Sequence, residues 1–348
     1  MKSIFTACAL LCVSTLVQSQ QLETIIQKGH ELAVVSIAVS ADSNFIVTGS
    51  KDKSAKLWDV RNGREVRSFL GHEHTVTALD LSHDGKYLIT GSYDKTTRLW
   101  EIATGKEIAV IPNTDNGIVT DVAFDPLQRF FVIAANSTSG YGDTARVYDF
   151  KTRRVIAKLR INPDKGLGRG IDIALSPDGN LIAMGEDNRV ANVYKTSDWT
   201  KAHTFEIKEG FCSGCATKVA FSPDNTFLYY AAHRGAVKKI RLSDETVVKQ
   251  YEEDPDNELT SLAVSGDGKK IARATEKDIR VWDTESGTEL AQLTAERQAD
   301  FHHIAFSLNS NSLIITSDNN KAFVWDFVAN KTIQEFTGLL NQRDKGGL

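Results

Sequence analysis

Several features that would announce a function at once are missing from this sequence. It contains no HExxH, no GxSxG and no P-loop, so the commonest signatures of metal-assisted, nucleophilic and phosphoryl-transfer chemistry are absent. "GLGRG" (166 to 170) matches no phosphate loop, and no helical pattern follows it to offer amides or a dipole to an anion. There is no basic excess either: 41 lysines and arginines face 45 aspartates and glutamates, for a net charge of −4. Nucleic acid is therefore not expected as a general partner. No window of roughly 11 to 18 residues carries a convincing helical period. Cysteine is scarce, with four in 348 residues and only Cys212 and Cys215 beyond the first twenty.

One charge-free run begins the chain. In "MKSIFTACALLCVSTLVQSQ", Lys2 precedes the 14 residues from Ile4 to Val17. That is shorter than the roughly 17 to 25 residues that cross a bilayer, so the segment reads as a secretory leader rather than a retained anchor. Val17 and Ser19 suit cleavage after Ser19. Lipid attachment at Cys12 is disfavoured because Leu10 and Leu11 precede it, and a buried first strand fits Lys2 poorly. Cleavage would leave 348 − 19 = 329 residues with a net charge near −5. The expected organisation is a leader over 1–19, one repeat domain over 20–338 and a polar tail over 339–348, in a protein that is secreted or periplasmic, not inserted in a membrane, and monomeric.

What the sequence does have is self-similarity. "KLWDV" (56 to 60), "RLWEI" (98 to 102), "RVWDT" (280 to 284) and "FVWDF" (323 to 327) are joined by the weaker "RVYDF", "NVYKT" and "KKIRL". Their markers, Trp58, Trp100, Tyr148, Tyr194, Ile240, Trp282 and Trp325, are 42, 48, 46, 46, 42 and 43 residues apart. That period belongs to four-stranded propeller blades. A second marker runs in phase: "SADSN", "SHDGK", "DPLQR", "SPDGN", "SPDNT", "SGDGK" and "SLNSN" are turn sequences between short alternating or β-branched runs. The fold class is all-β: a seven-bladed β-propeller of four-stranded antiparallel blades.

Over about residues 22 to 337 the chain resembles the WD-repeat propellers. Blade one carries Gly29-His30, Thr48, Asp52 and Trp58-Asp59, and blade two Gly71-His72, Thr90, Asp94 and Trp100-Glu101. The resemblance implies that His30, Thr48, Asp52 and Trp58, and likewise His72, Thr90, Asp94 and Trp100, form a buried structural hydrogen-bond network within each blade. Blades three to five lack the Gly-His step, blade six has Glu276 where the aspartate would sit, and blade seven has Asn319. Two segments compete to complete the last blade, "LETIIQKGH" near the start and "KTIQEFTG" near the end, and the N-terminal one is expected to do so.

The resemblance also implies which face binds partners: that carrying the connections into the innermost strands and the turns before the "WD" strands. The longer repeats owe their length to such segments around blades three to five, "PNTDNG", "NSTSGYGDT", "NPDKGLGRG" and "IKEGFCSGC". On this face Tyr93, Phe211 and Arg234 are residue types that dominate interface energy, and Lys51, Asp187 and Asp318 lie in comparable turns. A basic stretch (Lys151, Arg153, Arg154, Lys158, Arg160, Lys165, Arg169) and the acidic "EEDPDNE" (252 to 258) fit either a bipolar partner or, more simply, solvated edges and loops.

"HEH" (72 to 74) would place two imidazoles on one side of a strand, but His72 belongs to the blade network and no third ligand is near, so no metal and no cofactor are expected. Of His302 and His303, one should face the core and the other solvent. Cys212 and Cys215 fit a short structural disulfide better than a zinc site, which lacks two further ligands, or a redox couple, which lacks a helix. Asn136-Ser137-Thr138 and Asn330-Lys331-Thr332 match the glycosylation pattern, which matters only in a eukaryote. The functional expectation is a non-catalytic scaffold for a protein partner, bound on the face with the blade three to five loops. The alternatives are a secreted propeller enzyme or glycan binder with its site at the channel mouth, and an intracellular WD-repeat scaffold.

Overall fold

The structure is a computed structural model that describes residues 29–113, 117–136, 144–160, 171–186, 190–206, 217–232, 236–252, 257–295, 300–307 and 309–336. Its 28 strands form seven antiparallel sheets of four, each built from four strands consecutive in sequence, and no helix is present among the described residues. Blade one runs from Val34–Val39 on the inside to Arg64–Leu70 on the rim, and blade seven from Phe301–Phe306 to Lys331–Phe336.

Six of the seven blades share one turn chemistry between their first and second strands. A serine hydroxyl donates to the carboxylate or amide oxygen two residues on, as in Ser40 to Asp42 at 2.7 Å, Ser176 to Asp178 at 2.6 Å and Ser307 to Asn309 at 2.7 Å. The same hydroxyl oxygen accepts the backbone N–H that opens the second strand, as from Phe45 at 3.0 Å and Lys270 at 2.9 Å. One residue of the turn takes a left-handed conformation, such as Ser43 (φ 50°), Gly85 (67°), Asn225 (59°) and Ser310 (53°). This is a side chain hydrogen-bonding its own turn, and it fixes the hairpin register. Blade three departs: Asp125 instead accepts the guanidinium of Arg129 at 2.7 Å.

The apolar faces of neighbouring blades pack into one another, so the core is a ring of seams. The last seam closes the circle: Val34, Ile37, Ile46 and Trp58 of blade one cluster with Ile314, Ala322, Val324 and Phe336 of blade seven, with the Trp58 and Phe336 rings 6.0 Å apart. Here the expected closure is corrected. The outer strand of blade seven is the C-terminal Lys331–Phe336, paired with Lys321–Asp326 through a tight turn with Asn330 at φ 47°. A neighbouring strand joined by so short a turn loses far less chain entropy on pairing than a segment from the other end of the chain. "LETIIQK" and the proposed leader lie outside the described residues.

Candidate functional site

Two sets of polar side chains are organised by this ring: those that fasten blades, and those left at the upper face, where the loops before the innermost strands emerge.

In blade one the His30 Nδ1 lies 2.8 Å from Asp52 Oδ2 and its Nε2 lies 2.7 Å from Thr48 Oγ1, which also accepts the Trp58 indole N–H at 2.7 Å. Blade two repeats this with His72, Asp94, Thr90 and Trp100 at 2.7, 2.8 and 2.9 Å. With Asp94 accepting from Nδ1, the Nε2 accepts the Thr90 hydroxyl, so both ring nitrogens are satisfied. Burial alone would raise the Asp94 carboxyl, but the Thr96 hydroxyl, the Glu73 amide and His72 hold it down at about 2. Asp52 is likewise held well below the usual range against burial, by His30, Ser54 and the Glu31 amide. Burial lowers His72 and outweighs the pull of Asp94. These histidines are therefore consumed by their blades. Blade six solves the same problem differently: its turn is one residue shorter, and Asp278, two positions past Glu276, accepts the Thr275 hydroxyl at 2.6 Å and the Arg280 guanidinium at 2.9 Å.

Residues 71–75 form the loop before the innermost strand of blade two, Val76–Leu81, so "HEH" is not strand. His72 turns into the blade, whereas the His74 ring stands 5.5 Å from that of Tyr93 and its Nδ1 accepts the Thr75 N–H at 2.8 Å. The two imidazoles do not converge.

The sequence implied a central channel but not the polar residues of its lining; the channel is a cavity of ≈ 790 Å³ lined by the innermost strands. Its carboxylates bind backbone of the next blade: Asp80 accepts the Phe124 N–H at 2.7 Å, Asp121 the Ile173 N–H at 2.7 Å, and Asp172 the Val219 N–H and the Lys218 ammonium, both at 2.9 Å. Burial, with the charge of Asp172, pushes the Asp121 carboxyl up. Burial pushes Asp80 up to about 6. At Lys218 the attraction of Asp172 outweighs burial and raises the ammonium. His303 is lowered to about 4 by burial and then by the Lys218 charge. His302 and His303 both line the channel, a different arrangement from one core-facing and one solvent-facing ring. The legible signal was a lone charge in the otherwise apolar inner strands of blades two to five, as in "TDVAF", "IDIAL" and "TKVAF".

At the upper face Lys51 and Asp318 meet across the blade one to seven seam, Nζ to Oδ1 3.3 Å, and Asp318 also accepts from His302 Nε2 at 2.7 Å. Both partners lower the Asp318 carboxyl against its partial burial. Tyr93 is 46% exposed at the channel mouth, on a loop held by its N–H to the Thr75 carbonyl at 3.0 Å. Asp187, Phe211 and Arg234, and Cys212 and Cys215, lie outside the described residues. Of the two glycosylation patterns, Ser137 and Thr138 also lie outside them. The Asn136 Oδ1 accepts the Ile118 N–H at 2.9 Å, and the Asn330 Oδ1 accepts the Trp325 indole at 3.2 Å, so both amides already serve turns.

Seven four-stranded blades closed around a channel, with a His-Thr-Asp-Trp network in the first two, define a β-propeller of the repeat type. The family described as "WD domain, G-beta repeat" matches residues 20–59 and 63–101, and "Anaphase-promoting complex subunit 4 WD40 domain" matches 219–339. The chain belongs to the WD-repeat β-propeller family. It is 33% identical over 264 residues, 73% of this chain and 77% of the relative, to the small ribosomal subunit protein RACK1 of Caenorhabditis elegans. It is also 33% identical over 263 residues, covering 73% and 79%, to the cross-pathway control WD-repeat protein 2 of Flammulina velutipes, and 33% over 265 residues, again 73% and 79%, to RACK1 of Drosophila melanogaster. These matches overturn the expectation of a secreted or periplasmic protein, because the relatives are named as proteins of the ribosomal subunit, which is an intracellular particle.

Proposed function

We propose that this protein is a non-catalytic, intracellular scaffold that holds a protein partner on the upper face of its propeller. One observation carries the reading: the channel carboxylates and blade histidines are spent on holding strands together, while Tyr93 stands exposed above them on a rigid loop. Exposed tyrosine on a fixed scaffold offers a large contact area at little entropic cost, and such residues carry much of an interface's energy. Lys51 and Asp318 meet beside His302, which lines the same channel, while Asp187, Phe211 and Arg234, expected on this face from the sequence, lie outside the described residues.

The reading is supported by relatives whose names place them in a ribosomal subunit, a multi-component assembly. The test is quantitative affinity purification of the tagged full chain from its own cells, beside Tyr93→Ala. The expected result is a defined set of proteins depleted at least about tenfold by the variant, equivalent to about 1.4 kcal/mol, with an unchanged melting temperature. Recovery of the same proteins in the same amounts by both chains would sink the proposal.

A further inference from the structure

Charge on the propeller's rim is mixed in five blades, purely acidic in the sixth and purely basic in the third. Each hairpin turn together with the outer strand it enters contains at least one carboxylate in the other blades, from Glu65 in the first to Glu335 in the seventh. The equivalent segment of blade three, 150–160 ("FKTRRVIAKLR"), has none.

The structure adds what the sequence could not show. In other blades the rim carboxylate neutralises a cation of the adjoining strand: Lys56 to Glu65 at 2.8 Å, Arg98 to Glu107 at 2.5 Å, and Lys321 to Glu335 at 3.3 Å. In blade three Lys151, Arg153, Arg154 and Lys158 are all exposed; Lys151 faces the charge of Asp149 just before the turn, whereas among the described residues the side chains of Arg153, Arg154 and Lys158 have no ion-pair partner. Between them Val155 and Ile156 are 43% and 48% exposed. Charge on an outer strand can serve simply to repel edge pairing. That purpose is already met here, because every outer strand, the third included, is bulged against its neighbour, and the other six do without a purely basic rim.

We propose that the rim of blade three is a docking site for an acidic segment of a protein partner, with Arg153, Arg154 and Lys158 meeting its carboxylates and Val155 and Ile156 an apolar side chain. The six residues from Val155 to Arg160 extend about 20 Å, the reach of a short peptide in extended form. A long polyanion or a membrane surface would also meet the rest of a chain whose net charge is −4, and would be repelled there. The exposed aliphatic pair likewise suits a peptide better than a phosphate backbone. This site lies on the rim rather than the upper face, so its failure would leave the Tyr93 result untouched.

The experiment is fluorescence anisotropy with the full chain and three probes: a labelled glutamate-rich peptide with interspersed leucine, oligouridylate, and phosphatidylserine vesicles. Two charge-reversed variants are compared, Arg154→Glu with Lys158→Glu on the blade three rim, and Lys269→Glu with Lys331→Glu as a control of equal net charge on blades six and seven. Arg153→Gln with Arg154→Gln is the milder rim variant should the first melt early. The expected result is that the peptide binds wild type more tightly than the other probes do and weakens as salt rises. The rim variant should lose at least about tenfold and the control less than about twofold. Equal losses in rim and control variants, tighter binding of oligouridylate or vesicles, or no binding of the peptide would each overturn the proposal.

Discussion

The Nδ1 of His72 lies 2.7 Å from the Oδ2 of Asp94, 22 residues further along the chain, and both side chains are almost wholly buried. The pair fastens the loop before blade two to the turn between its second and third strands. His72→Ala would leave the Asp94 carboxylate and the Thr90 hydroxyl short of a partner in the interior. A loss of about 2–4 kcal/mol in unfolding free energy is expected. Urea denaturation of His72→Ala beside wild type measures it, and a loss below about 0.5 kcal/mol would show that the network is ornamental to stability.

Blade seams tolerate no added atoms at their closest approaches. A Cβ on Gly185 in blade four would lie 1.9 Å from the Thr217 carbonyl oxygen of blade five, so Gly185→Ala must push two blades apart. It should cost about 1–3 kcal/mol or more. At Gly266, in the blade six turn, nothing lies within 4 Å of the place an added methyl would take, and Gly266→Ala should be neutral or slightly stabilising. Thermal melts of the two variants side by side make the comparison.

One channel group, His303, contributes a pH dependence of definite sign, opposed by the raised carboxyl of Asp80. Burial and the Lys218 charge bring His303 from its ordinary value near 6.5 down to about 4. Between those values the unfolded chain binds the proton that the folded chain refuses. Stability from this group is therefore complete above about pH 6.5 and falls as the pH drops towards about 4, by roughly 1–3 kcal/mol. His303→Gln should flatten that part of the stability curve while leaving the carboxylate-driven loss at lower pH, where Asp94 titrates near 2. An unchanged slope between pH 4 and 6.5 in the variant would remove His303 as its source.

Lys218 and Asp172 face each other at 2.9 Å across the blade four to five seam, with Asp172 also accepting the Val219 N–H. Lys218→Met and Asp172→Asn should each destabilise by about 1–3 kcal/mol, and the double variant by less than their sum. Strict additivity in that cycle would mean that the two do not interact in the folded protein.

The blade count, the strand boundaries near each turn and the fold class were legible because their signals are local. "SHDGK" needs only a serine hydroxyl, an aspartate and a glycine within five residues to make its turn, and "RLWEI" places Trp100 ten residues after Thr90, within the same blade. Blade six was misread at Glu276 because a turn one residue shorter moves the aspartate's role to Asp278, and a missing residue in a turn leaves no mark in composition. Export, read from a leader-like run at the start, gave way to relatives whose names belong to the ribosome.

The residues that join blades could not be read in the same way. Asp80 and Phe124 are 44 positions apart, Asp172 and Lys218 46, and Lys51 and Asp318 267, and each pair meets only because the ring brings one blade's inner strand or upper turn against another's. Repeat length and turn chemistry were enough to specify a seven-bladed propeller, since each hairpin is settled by its own few residues. Which strand completed the last blade, which polar groups were spent on the seams, and which were left exposed on the upper face and the blade three rim were decided by closure of the ring, because that balance of burial and pairing exists only once all seven blades are in contact.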